Sequence, residues 1–96
     1  MPLTKNATFR QLATFHAVAR LGSVSAAADE MHLTQPAVSI QIAALEESAR
    51  SQLLQRTGRG IRLTEAGELL DGYARRILEL WREAGEEMAT LQGVFS

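Results

Sequence analysis

The sequence predicts a mainly α-helical fold: three helices, a short two-stranded hairpin, and a long fourth helix suited to pairing with a partner. Three observations predict it. Helix-capping residues stand before stretches of helical apolar period. Two glycines flank an arginine where that period breaks. The last third of the chain carries an apolar seam too long for so small a domain to cover.

The first helix is announced by Thr8-Phe9-Arg10-Gln11, a capping box in which Thr8 accepts from a free backbone N–H and Gln11 reaches back. Phe9, Leu12, Phe15 or His16, and Ala19 follow at helical spacing, and Gly22 stands where a left-handed cap is wanted, giving a helix over about 9–20. Ser23 caps a short second helix, Val24 to Met31, whose Ala26, Ala27 and Ala28 let a neighbouring backbone come close. His32-Leu33 makes the turn. Thr34 caps the third helix, Pro36 falls in the first turn where its missing N–H does no harm, and the helix runs to about Ala49.

That third helix divides into two faces. Val38, Ile42, Leu45 and Ala49 form one apolar stripe for the core. Pro36, Ser39, Ile40 and Ala43 point the other way, with Gln35 at the flank of the first turn. Residues 53–63 then lose the helical period: Leu53, Leu54, Ile61 and Leu63 suit the arms of a hairpin, with Gly58-Arg59-Gly60 at its tip. Thr64 caps the last helix, and Glu65 and Glu68 lie in its first turn, where the helix dipole favours negative charge. Ala66, Leu70, Tyr73, Ile77, Leu80 and Ala84 form a heptad-like seam, widened by Leu69, Leu78, Trp81 and Met88. A helix from Glu65 to about Leu91 is roughly 40 Å long and needs a partner to bury such a seam. The reading therefore divides the chain into residues 1–64, a helix over 65–92, and a linker starting at 93–96.

Composition narrows the functions available. The 96 residues suffice for one small domain, and 46% of them are hydrophobic, as in folded proteins. There is no cysteine, so disulfides and thiolate metal sites are excluded. His16 and His32 have no cysteine or carboxylate at ligand spacing and read as structural residues. No nucleophile stands beside a base and no Gly-rich phosphate loop opens a helix, so neither an enzyme nor a bound cofactor or metal is expected. The polar stretch Met1–Thr8 and the lack of a long apolar run predict neither signal peptide nor membrane span, and hence a cytoplasmic location.

The net charge of −1 conceals an asymmetry. Residues 1–64 hold seven Lys/Arg against four Asp/Glu, whereas residues 65–96 hold three against seven. Arg56, Arg59 and Arg62 concentrate positive charge in the hairpin. Helix, short helix, turn, helix and then a Gly/Arg hairpin is the order of a winged helix-turn-helix. In that fold the third helix presents its N-terminal face to the major groove of double-stranded DNA. Gln35 can pair with a base, Ser39 with a base or a phosphate, and Ile40 with a thymine methyl. Arg59 at the hairpin tip can enter the minor groove, while Arg56 and Arg62 neutralise phosphates. The competing reading is a module for dimerisation alone, which the seam would satisfy but which has no use for the basic hairpin.

The residues themselves carry a resemblance. Ala26-Ala27, then Leu33-Thr34-Gln35-Pro36-Ala37-Val38-Ser39, Gln41-Ile42 and Leu45-Glu46 resemble the helix-turn-helix signature of LysR-type transcription regulators. Arg56-Thr57-Gly58-Arg59-Gly60-Ile61-Arg62-Leu63-Thr64-Glu65-Ala66-Gly67 is similar to that family's wing and linker-helix start, so the likeness spans about residues 7–80. It implies groove contacts at Gln35, Pro36 and Ser39, phosphate contacts at Thr34, Arg56 and Thr57, joined by Ser25 early in the second helix, and a wing-tip contact at Arg59. It further implies a homodimer on an interrupted palindrome, held by Leu69, Leu70, Tyr73, Ile77, Leu80, Trp81, Ala84 and Met88 on an antiparallel linker helix. Tetramers and an effector-binding domain belong to longer members of the family. The sequence departs from the family where basic residues are common, at Ile40, Ala43 and Ala44, where a Leu-Gly is replaced by Ala49-Arg50, and where Leu54 replaces a Phe. Base reading then falls to Gln35, Ser39, Gln41 and Ile40. The pair Ile40-Gln41 is similar to the branch of the family that controls carbon-dioxide fixation operons.

Overall fold

The computed structural model describes residues 7–93; the polar start read as free of a signal sequence lies outside them except for Ala7 and Thr8, and so does the linker start except for Gly93. The described chain runs α1 (Phe9–Leu21), α2 (Val24–Met31), α3 (Gln35–Ala49), β1 (Leu54–Thr57), β2 (Gly60–Leu63) and α4 (Glu65–Leu91). Every expected cap forms. Thr8 and Gln11 close their reciprocal box, and Ser23, Thr34 and Thr64 accept from the backbone N–H groups of Ala26, Ala37 and Gly67. Gly22 ends α1 in the left-handed region with φ 66°. His32 and Arg50 end α2 and α3 the same way at φ 57° and 53°. The glycine missing at position 50 is therefore replaced in function by an arginine that takes on the left-handed strain.

The core lies where α1, α2 and α3 meet. Phe15 and Val18 of α1, Ala27 and Ala28 of α2, and Val38, Ile42 and Leu45 of α3 are buried together. Two details differ from the sequence expectation. Leu53 is not a hairpin arm but a core residue ahead of the first strand, 1% exposed. Ser48 rather than Ala49 is the buried residue in the last turn of α3, because the stripe precesses on a helix of 3.6 residues per turn.

Glu46 is half-buried. Its carboxylate accepts from the N–H of Leu53 at 2.8 Å and of Leu54 at 3.3 Å. The chain doubles back after Arg50, and this carboxylate satisfies amides that the turn would otherwise leave unpaired. The hairpin is antiparallel, with Leu54 opposite Leu63, Arg56 opposite Ile61, and Thr57 opposite Gly60.

The first half of α4 is fixed to the domain at several points. Thr64 donates through its N–H to the Leu53 carbonyl at 3.0 Å and through its hydroxyl to the Gln52 carbonyl at 2.6 Å. Gly67 passes so close that a Cβ there would stand 2.0 Å from the Leu53 oxygen. Further along, Ala74 is buried and His16 Nδ1 lies 2.7 Å from an Asp71 carboxylate oxygen, joining α1 to α4. His16 thus has a carboxylate partner after all, 55 residues away in sequence.

Candidate nucleic-acid interface

The outer face of α3 is open. Gln35, Pro36, Ser39 and Ile40 are all exposed, and Ile40 is 69% exposed although it is among the most apolar residues of the chain. Thr34 is exposed too, its hydroxyl engaged 3.2 Å from the Ala37 N–H. That bond serves the Ala37 amide; Pro36 has none and Val38 donates to the Thr34 carbonyl, so the Gln35 N–H is the first-turn amide left for an anion.

The hairpin tip is shaped by Thr57. Its hydroxyl donates to the Gly60 carbonyl at 3.3 Å and accepts from the Arg59 N–H at 3.2 Å, so a side chain expected at a phosphate also orders the turn. Gly60, at φ 135°, sits where an added Cβ would lie 3.3 Å from the Gly22 carbonyl oxygen, which seats the hairpin against the α1–α2 junction. This contact brings distant segments together. Ser25 of α2, Gln35 and Ser39 of α3, and Arg56 and Arg59 of the hairpin line one open groove of about 420 Å³. A second groove of about 400 Å³ continues from Ser39 and Arg56 along Ala43, Glu46, Gln52 and Gln55.

Other expected site residues lie apart from these grooves. Arg62 is cross-strand from Gln55, on the alternate side of the hairpin from Arg56 and Ile61, and lines neither groove. Pro36 and Ile40 stand on the exposed ridge of α3. Gln41 turns inward: its side-chain oxygen accepts from the buried Thr14 hydroxyl at 2.7 Å, so it is held by α1 rather than offered to a base. Gln55 was not anticipated. A polar residue beside Arg56 in a basic hairpin was the available signal, overlooked because the period-two pattern of so short a strand is weak.

The seam on α4 divides. Leu70 is half-buried against the domain's own core, and the Trp81 ring packs on Phe9 of α1 with centroids 5.0 Å apart. Leu69, Tyr73, Ile77, Leu80, Ala84 and Met88 are exposed as a continuous stripe, and Trp81 stays 66% exposed despite its contact with Phe9. Alongside it, Arg76 lies over the Tyr73 ring at 4.8 Å, and Arg82 pairs with Glu79 at 2.6 Å and with Glu86. The Arg82 hydrogen bond holds the Glu79 carboxyl below its ordinary pKa, and Glu79 raises that of Arg82 in return. No helix among the described residues is long and apolar enough to cross a membrane.

A trihelical core, an open third helix, and a basic hairpin sharing its groove define a winged helix-turn-helix domain, here continued by a long helix. The chain belongs to the LysR family: the family model described as "Bacterial regulatory helix-turn-helix protein, lysR family" matches residues 9–68. It is 45% identical over 87 residues to the "RuBisCO operon transcriptional regulator" of Allochromatium vinosum, covering 91% of this chain and 29% of that protein. The chain thus spans less than a third of that regulator's length. Among solved structures it resembles the DNA complex of the CbnR DNA-binding domain, with TM-score 0.78 and 44% identity over 88% of this chain and 98% of that one. It also resembles the BenM DNA-binding domain on the catB site 1 DNA, with TM-score 0.84 and 32% identity over 88% of this chain and 94% of that one. The Allochromatium vinosum relative is named as a transcriptional regulator, and the two solved structures as complexes with DNA.

Proposed function

We propose that this chain binds double-stranded DNA sequence-specifically, as a homodimer on an interrupted palindromic promoter site, and is the DNA-binding part of a LysR-type regulator. One observation carries the reading. Ser25, Gln35, Ser39, Arg56 and Arg59, from three separate segments, line one groove beside an exposed helix N-terminus. Gln35, Pro36, Ser39 and Ile40 face the bases of the major groove, and Arg59 enters the minor groove. Ser25, Thr34, Arg56 and Thr57 hold phosphates, as does Arg62 from the outer side of the hairpin.

In this reading residues 1–64 are the DNA-binding unit, 65–92 the dimerisation helix, and 93–96 the start of a linker to an effector domain. The site needs no cofactor, the protein works in the cytoplasm, and tetramers form only in the longer regulator. Identity to a RuBisCO operon regulator supports a promoter of carbon-dioxide fixation genes as the target. The test is selection of bound duplexes from a random library, followed by sequencing. An inverted repeat with a fixed spacer is expected; a selected pool as random as the input overturns the reading.

A further inference from the structure

We infer that Ile40, supported by Pro36 and Ala43 on the same line of α3, reads the C5-methyl group of a pyrimidine. The chain then prefers thymine or 5-methylcytosine to unmethylated cytosine at that position. The inference rests on the DNA reading above and adds the chemical class of base that the exposed ridge takes.

The composition of α3 removes the usual alternative. Its exposed residues are Gln35, Pro36, Ser39, Ile40, Ala43 and Glu47, and between Gln35 and Ala49 it carries neither Lys nor Arg. No cation on this helix stands ready for the O6 and N7 of guanine, the commonest specific contact in the major groove. Gln41 is held by the Thr14 hydroxyl, and Glu46 by the Leu53 and Leu54 amides. What the first two turns offer a base is one amide, one hydroxyl and three apolar side chains.

Those three are aligned. Pro36, Ile40 and Ala43 follow at four and three, within about 60° of one another around the helix axis. They run about 10 Å along it, the rise of about three base pairs. Gln35 and Ser39 flank the line on the side that shares a groove with Arg56 and Arg59. Glu47 lies on the same line a turn beyond Ala43, where its charge repels phosphates and limits close approach to the turns before it.

In the code of the major groove the apolar mark is the C5-methyl group of thymine; the remaining marks are donors and acceptors. A single exposed isoleucine is ordinary on a protein surface. This one stands in a row of apolar residues on the open face, beside the polar pair that lines the basic groove. Covering one methyl group is worth about fourfold in affinity. Ile40 has no side-chain donor or acceptor, so it does not sense whether the neighbouring ring position carries the thymine oxygen or the cytosine amine. 5-Methylcytosine presents the same methyl group and counts as thymine for this residue.

The test is fluorescence anisotropy on the inverted repeat obtained by selection, with each half-site pyrimidine exchanged in turn, symmetrically in both halves. Uracil in place of thymine removes the methyl group and keeps the pairing. At one position it is expected to weaken binding about fourfold per half-site, and Ile40→Ala to abolish the difference. At that position cytosine and 5-methylcytosine, each opposite guanine, separate the methyl group from the base that carries it. The methylated duplex is expected to bind about fourfold more tightly per half-site, again only with Ile40 present. Ile40 is exposed, so I40A should keep the parent's circular dichroism and melting temperature. Ile40→Val, which keeps a branched end, should retain most of the difference. A parent that prefers the inverted repeat to a scrambled duplex yet accepts uracil everywhere overturns the methyl reading and leaves sequence-specific binding standing. A uracil penalty that I40A keeps assigns the contact to another residue and overturns the role of Ile40. Methylated and unmethylated cytosine bound alike overturns the claim on 5-methylcytosine. A parent with no preference among duplexes overturns the DNA reading itself.

Discussion

Replacing Gly67 by alanine should uncouple α4 from the domain, although the same change elsewhere in this helix should stabilise it. Alanine is the better helix former by about 1 kcal/mol. At position 67, however, the new methyl would lie 2.0 Å from the Leu53 carbonyl oxygen and 3.2 Å from Leu63 Cδ2. The oxygen cannot yield freely, because it accepts the Thr64 N–H at 3.0 Å. Moving the helix instead would break that bond and the Thr64 hydroxyl bond to Gln52, at about 1 kcal/mol each. Overpacking adds about 1–3 kcal/mol. The net loss after the propensity gain is about 2–4 kcal/mol, which lowers the melting temperature of a domain this size by roughly 10 °C or more. Gly85 has nothing within 4 Å of an added Cβ, so G85A should gain up to about 1 kcal/mol. Thermal denaturation followed by far-ultraviolet circular dichroism, at one fixed protein concentration, compares the two. A G67A melting temperature equal to or above the parent's would refute the close-approach reasoning.

Four further substitutions, one of them a control, probe the turn and the DNA-facing surface. Glu46→Ala removes the acceptor of the Leu53 and Leu54 amides and should cost about 1–3 kcal/mol in urea unfolding; Glu47→Ala, on an exposed residue, should cost under about 0.5 kcal/mol. Gln35→Ala should weaken binding to the selected duplex by about 1–3 kcal/mol and relax preference at one base position, read by titrating duplexes that differ at that position. Arg59→Ala should weaken binding and reduce the slope of log affinity against log salt by about one; an unchanged slope argues against a DNA-facing hairpin tip.

Local signals made most of the fold readable from sequence. Thr8, Ser23, Thr34 and Thr64 each begin a helix because a side-chain oxygen satisfies an amide three residues on, and that chemistry is visible in a four-residue window. Gly22 and Gly60 likewise announce backbone conformations that few other residues accept. What escaped depends on contacts made across the fold. Asp71 meets His16, and Gln41 meets Thr14, only once three helices have packed. Glu46 looks like a surface charge until the chain turns back over it. The choice between Leu69 and Leu70 is of the same kind: both fit an apolar seam, and the Leu53 approach to Gly67 decides which one faces inward by fixing the rotation of α4. The groove residues were readable one by one, but their meeting in a single groove depends on the hairpin seating beside Gly22.

The central claim, that the α3–hairpin groove reads DNA, is tested most directly by fluorescence anisotropy. The protein is titrated at several salt concentrations into the selected inverted repeat and into a scrambled duplex of the same composition. The account predicts tighter binding to the inverted repeat and affinity that falls steeply and linearly in log salt. Binding to neither duplex at low salt, from a protein that sediments as a folded dimer, would contradict it and leave a dimerisation module.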